Sequence, residues 1–172
     1  MKIKITLGLS LVVGALALIG GMMNTVTIQK NYKHSSDKVW SQWSKIEGIS
    51  EFHPDLTKSE IVSETKAGLN THRLVTTTEG KQILHKVVEY NDSDQQMAFT
   101  FEADFLPLKY AICRIDVEKV SEQESVVKFR VDMEPKFGVL GWVLGKLVLE
   151  KKLQQGGDNL LGGLEKHLSQ NN

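Results

Sequence analysis

The chain is 172 residues long, with 21 basic and 21 acidic side chains and a hydrophobic share of 41%. That is the size and balance of one globular domain with an enclosed core, not of a disordered segment. Zero net charge without a basic face excludes a nucleic-acid binder, and a single cysteine excludes an internal disulfide or a thiolate-clustered zinc site.

The first element is apolar. After Lys2 and Lys4, the run from Ile5 to Met23 contains no charge. As a helix it would span about 28 Å, close to the hydrocarbon thickness of a bilayer. The run is longer than the apolar region of a cleaved signal peptide, and its neat small-x-small pair, Ala15 and Ala17, lies inside it. Residues 1–23 are therefore expected to be an uncleaved single-pass membrane anchor, with a signal peptide as the alternative. The two lysines on the short side place the N-terminus in the cytoplasm and residues 24–172 on the exported side. With the segment cleaved, the domain would be secreted or periplasmic.

From Asn24 the pattern changes to alternation, and Val26 and Ile28 mark a half-buried strand. Ser35 or Ser36 then offers an N-cap, and Val39, Trp40, Trp43 and Ile46 share one face of a helix that Gly48 is expected to break. "ISEFHP" reads as a second short helix stopped by Pro54. Six β-rich runs follow between Leu56 and Pro135, separated by the turns "KAGLN", "EGK", "NDSDQ", "LP" and "SEQE". In the fifth, Cys113 alternates with Ala111 and Ile115 and reads as a buried, inert thiol. The last segment, Phe137 to Leu168, reads as one long helix with leucines along one face. Gly156-Gly157 and Gly162-Gly163 weaken it, and the expected reason is close backbone approach to the sheet, with a break at Gly156 as the alternative.

Several phrases in this order resemble the START-like (SRPBCC, helix-grip) superfamily. "VWSQWSKIEGISEFHPDL" resembles its first-helix signature, "AGLNTHRLV" its glycine-x-x-x-arginine strand, and "LPLKYAICRIDVEKVSEQESVVKFRVDMEP" its proline–tyrosine strand and closing proline. The branch resembled most is the polyketide cyclase/dehydrase and lipid-transport group, over about Val26 to Leu168. The resemblance implies an α+β helix-grip fold: a curved antiparallel sheet of about seven strands around a long C-terminal helix, with a cavity between them. One departure stands out. Where relatives often carry an acidic residue in the strand after the arginine strand, this chain has His85.

His53-Pro54-Asp55 is the tripeptide of J-domain co-chaperones, but there it joins two long helices, and here strands follow. As a metal ligand His53 has no partner at ligand spacing, because His34, His72, His85 and His167 are scattered. The plain reading is a helix end at the rim of the cavity. "GWVLGKL" lacks the P-loop spacing and its Ser or Thr, so no nucleotide site is assigned. The ligand-site residues assigned are Trp43, Phe52, His85, Phe99, Phe101, Tyr110, Arg114, Phe129 and Met133, an apolar set with a few polar exceptions. No catalytic residue, metal or cofactor is assigned, and no oligomeric state.

The expected function is binding of a small hydrophobic or lipid-like molecule, with membrane attachment through residues 5–23. One alternative is a cyclase- or dehydratase-like enzyme in which Tyr110, His85 or Arg73 polarises a substrate carbonyl. Another is a membrane-tethered protein-interaction domain that uses the apolar start of the last helix.

Overall fold

The computed structural model describes residues 23–136, 143 and 148–171. All but the last residue of the N-terminal apolar run, and most of the apolar start of the last helix, lie outside them. Among the described residues, no helix is long and apolar enough to cross a membrane.

Seven strands form one antiparallel sheet: β1 (Asn24–Tyr32), β2 (Leu56–Ile61), β3 (His72–Thr77), β4 (Gln82–Asn91), β5 (Gln96–Glu102), β6 (Leu108–Lys119) and β7 (Ser125–Pro135). Their order is β1-β7-β6-β5-β4-β3-β2, so β2 to β7 form a meander and β1 closes onto β7. The expected number of strands and the C-terminal helix are both present, in the helix-grip arrangement. Register shifts interrupt β2–β3, β4–β5 and β6–β7, where bulges increase the local bend of the sheet.

Alternation sorts each strand into two faces. Val127, Phe129, Val131 and Met133 of β7 join Ala111, Cys113, Ile115 and Val117 of β6 on the concave face, all buried. The Cys113 thiol is fully enclosed there, and burial pushes its pKa well above the usual range, as an inert thiol requires.

Two helical segments connect β1 to β2. Helix α1 (Ser36–Ser44) is capped by Ser35, whose hydroxyl accepts the Lys38 N–H, and it buries Val39, Trp40 and Trp43. It ends at Lys45, earlier than the expected break at Gly48, which instead lies within a 3-10 helix, Ile46–Glu51. The reason is the spacing of the next apolar pair. Ile46 and Ile49 are three apart, and three residues per turn put both on the buried face.

Helix α2 (Glu150–Gln170) crosses the concave face without a break at Gly156. The two glycine pairs divide their work. Gly157 lies against Ile28 and Phe129, and Gly163 against the Phe52 carbonyl and Pro54, while Gly156 and Gly162 have nothing near them. A methyl group at Gly163 would meet main chain, so this close approach fixes how tightly α2 seats on the end of the 3-10 helix. Tyr32 locks the same helix by donating its hydroxyl to the Leu161 carbonyl at 2.8 Å.

Candidate ligand cavity

A cavity of about 250 Å³ lies between the sheet and α2. The meander supplies one wall through Val75 of β3, Ile83 and His85 of β4, Phe99 and Phe101 of β5, Leu108 of β6 and Phe129 of β7. The 3-10 helix and the residues after it add Ile49, His53 and Leu56; α2 and its approach add Leu149, Lys152, Leu153 and Leu160. Leu106, in the β5–β6 turn, completes the lining. Among the described residues, no acidic side chain belongs to it. Of the lining residues only Lys152, in the first turn of α2, is exposed, and this places the mouth at the first turn of α2.

One polar group is built into this apolar wall. The sheet register sets Arg73 of β3 opposite His85 of β4, and His85 opposite Phe101 of β5. Arg73 and His85 are only 4% and 6% exposed. The Arg73 Nε and Nη2 lie 3.1 and 3.0 Å from His85 Nδ1, and Nη1 donates to the Ile46 carbonyl at 2.5 Å. The guanidinium also stands over the Phe99 ring, 5.1 Å from its centre. No carboxylate is among its partners in the described residues. Burial pushes the Arg73 pKa down to about 10, which still leaves it charged at neutral pH.

That charge fixes the chemistry of His85. An arginine only donates, so Nδ1 of His85 must accept, and the proton of the neutral ring sits on Nε2. Burial first, then the positive charge of Arg73 and the nearby His53, hold the His85 pKa well below 6.5. The ring packs between Phe99 and Phe101, each 4.9 Å away by centroid. Among the described residues His85 makes no hydrogen bond besides those from Arg73, so Nε2–H is the donor it offers to the cavity. His53, also in the lining, repeats the pattern. Its Nδ1 accepts the Asp55 N–H at 3.2 Å, and burial lowers its pKa against the opposing pull of Asp55. Both imidazoles are thus neutral donors in an apolar chamber.

Four of the nine residues assigned from sequence, His85, Phe99, Phe101 and Phe129, stand on this wall. Trp43 and Phe52 lie behind it and pack edge to face at 5.4 Å, with Phe52 also against His167. Met133 is buried on the concave face beyond the lining, paired in register with Asn24 and Ala111. Tyr110, 42% exposed, and Arg114 are on the convex face, because the β6 register that buries Ala111 and Cys113 turns its even-numbered neighbours outward. Sequence reasoning missed the aliphatic part of the lining, such as Ile49, Val75, Ile83 and Leu160, whose alternation marks burial without saying what they face. No group of His, Cys, Asp and Glu among the described residues is arranged to hold a metal ion.

The comparisons with known proteins agree with this geometry. The sequence model of the polyketide cyclase/dehydrase and lipid-transport family matches residues 23–169. Among solved structures, an aromatase/cyclase from Streptomyces sp. R1128 is similar with a TM-score of 0.73 and 12% identity, over 86% of this chain and 94% of that one. A START superfamily protein from Mycobacterium smegmatis is similar with a TM-score of 0.69 and 15% identity, over 86% and 99%. Norcoclaurine synthase from Thalictrum flavum, in complex with dopamine and hydroxybenzaldehyde, is similar with a TM-score of 0.70 and 14% identity, over 100% and 98%. No curated protein matches the chain.

Proposed function

Because the chain belongs to the polyketide cyclase/dehydrase and lipid-transport family of the START-like superfamily, we propose that it is a membrane-anchored carrier of a small apolar molecule bearing one oxygen acceptor. The observation that carries this reading is the cavity: an apolar lining of about 250 Å³ with a neutral histidine held as a donor from behind by an arginine. Ligand sites of this kind are mostly apolar, with a few polar groups that orient the ligand, and this volume is just below their usual range of about 300–1,000 Å³. A ligand losing about 400 Å² of apolar surface gains roughly 10 kcal/mol. Association costs of at least about 4 kcal/mol leave about 6 kcal/mol, an affinity of tens of micromolar at best.

The membrane part of the reading is supported by the length of the uncharged run Ile5 to Met23 and by the lysines before it. Native mass spectrometry of the domain from Asn24 onward, purified from cells, tests the binding part. A bound apolar species, displaced by an added fluorescent probe and excluded by Leu153→Trp at the mouth, is the expected result. A domain that carries nothing and takes up no apolar probe overturns it.

A second reading has one observation in its favour. The Nε2–H of His85, backed by the Arg73 cation, is also what would polarise a substrate carbonyl, and two of the similar structures are a cyclase and a synthase. Tyr110 has no part in it, being on the convex face. Turnover of carbonyl substrates that is unchanged by alanine at His85 and at Arg73 removes this reading.

A further inference from the structure

The mouth of the cavity and the exit of the N-terminal apolar run are at the same end of the molecule. Antiparallel pairing puts the start of β1 beside the end of β7, and the end of β7 beside the start of β6, with Asn24 opposite Met133 and Leu108 opposite Pro135. Asn24 is therefore two residues along and two strands across from Leu108 of the cavity wall, about 7 Å by about 10 Å. No spacer intervenes, since Met23 ends the uncharged run and Asn24 begins the strand.

The same end carries two partly exposed apolar side chains, Phe105 with the Lys81 ammonium 5.3 Å over its ring and Val148, while Val62, Leu69 and Val120 are exposed at the other end. Phe105, in the turn beside Leu106, is 44% exposed, and Val148, just before α2, is 50% exposed. Phe105 adjoins Leu106 of the lining, and Val148 adjoins Leu149. The headgroup zone of a bilayer is about 5–7 Å deep on each side of its hydrocarbon. A domain joined to a membrane helix without a linker has its joined end within that depth or next to it. We propose that the cavity mouth docks on the lipid surface, with Phe105 and Val148 entering the headgroup zone, so that ligand passes between bilayer and cavity without crossing water.

This inference rests on the membrane-anchor reading above, and the test separates the two. The full chain is reconstituted into phosphatidylcholine vesicles containing lipids with nitroxide-labelled acyl chains. An environment-sensitive fluorophore is placed on Phe105→Cys, on Val148→Cys or, at the opposite end of the sheet, on Glu122→Cys; Cys113 is fully buried and does not compete for label. The expected result is quenching several-fold stronger at 105 and 148 than at 122. Chain that stays with the vesicles but shows equal or reversed quenching overturns the docked mouth and leaves the anchor standing. Chain that does not stay with the vesicles overturns both. Two independent labelled positions at the mouth keep the test decisive if one variant folds poorly.

Discussion

The two faces of the sheet treat buried charge in opposite ways. On the convex face Asp132 is 5% exposed and fully partnered: Thr25 Oγ1 donates to it at 2.7 Å, Arg130 from 2.9 and 3.0 Å, and Arg114 at 3.0 Å. Burial alone would raise its pKa, but these hydrogen bonds and the two arginines hold it below the usual carboxylate value. On the concave face Arg73 is as deeply buried and has no carboxylate, only an imidazole, a carbonyl and an aromatic face. A buried charge with its counter-ion ties strands together. A buried charge without one projects its field into the adjoining cavity, and such an arrangement is destabilising unless something else uses it.

The largest test of this contrast is Asp132→Ala. It leaves two arginines facing each other, and it is expected to lower stability in urea unfolding by about 2–3 kcal/mol while probe binding in the cavity stays unchanged. Next is Arg73→Met. Relief of an unpaired buried charge offsets the lost hydrogen bonds, so stability should change by less than about 1.5 kcal/mol, while affinity for an acceptor-bearing ligand falls about tenfold. If Arg73→Met unfolds the domain and the folded fraction binds normally, the arginine is structural and the contrast fails.

Acid separates the faces further. The His85 pKa is depressed well below 6.5, so the unfolded chain takes up a proton that the folded one refuses. Its contribution to stability is complete above about pH 6.5 and is lost as pH falls from there. His53 adds to the same limb, its pKa also being depressed. Asp132 acts lower, since its contribution is complete above about pH 3.8 and is lost only as pH falls beyond that. Urea midpoints measured against pH should therefore show two limbs, with His85→Gln flattening only the upper one. The smallest expected effect is Arg114→Ala. The arginine is half exposed, its Glu89 partner more so, and the loss should stay within about 1 kcal/mol with no change in binding.

The fold was legible because it rests on repeated local signals. Six β-rich runs with turns between them, a capped helix before them and a leucine-striped helix after them leave few arrangements, and Gly157 and Gly163 mark where that helix meets its neighbours. The site was legible only in part. Phe99, Phe101 and Phe129 announce themselves as large side chains on one strand face. Alternation gives two faces but not which one is concave, so Tyr110 and Arg114, a consistent pair in sequence, belong to the outside. The sequence places His53 at the rim, and its position in the lining depends on a 3-10 helix whose start is set by Ile46 and Ile49. The Arg73–His85 contact depends on cross-strand register, which a bulge elsewhere in the sheet can shift by one residue.

The central claim is that the neutral N–H of His85, the buried one of the two imidazole donors, selects what a mostly apolar cavity holds. It is tested most directly by titrating the domain with two matched hydrophobic probes, one carrying a ketone oxygen and the other a methylene in its place. The account predicts that wild type prefers the ketone about tenfold, the worth of one hydrogen bond to a buried donor, and that His85→Leu binds both equally. Equal binding by wild type, or a preference that survives His85→Leu, would contradict it.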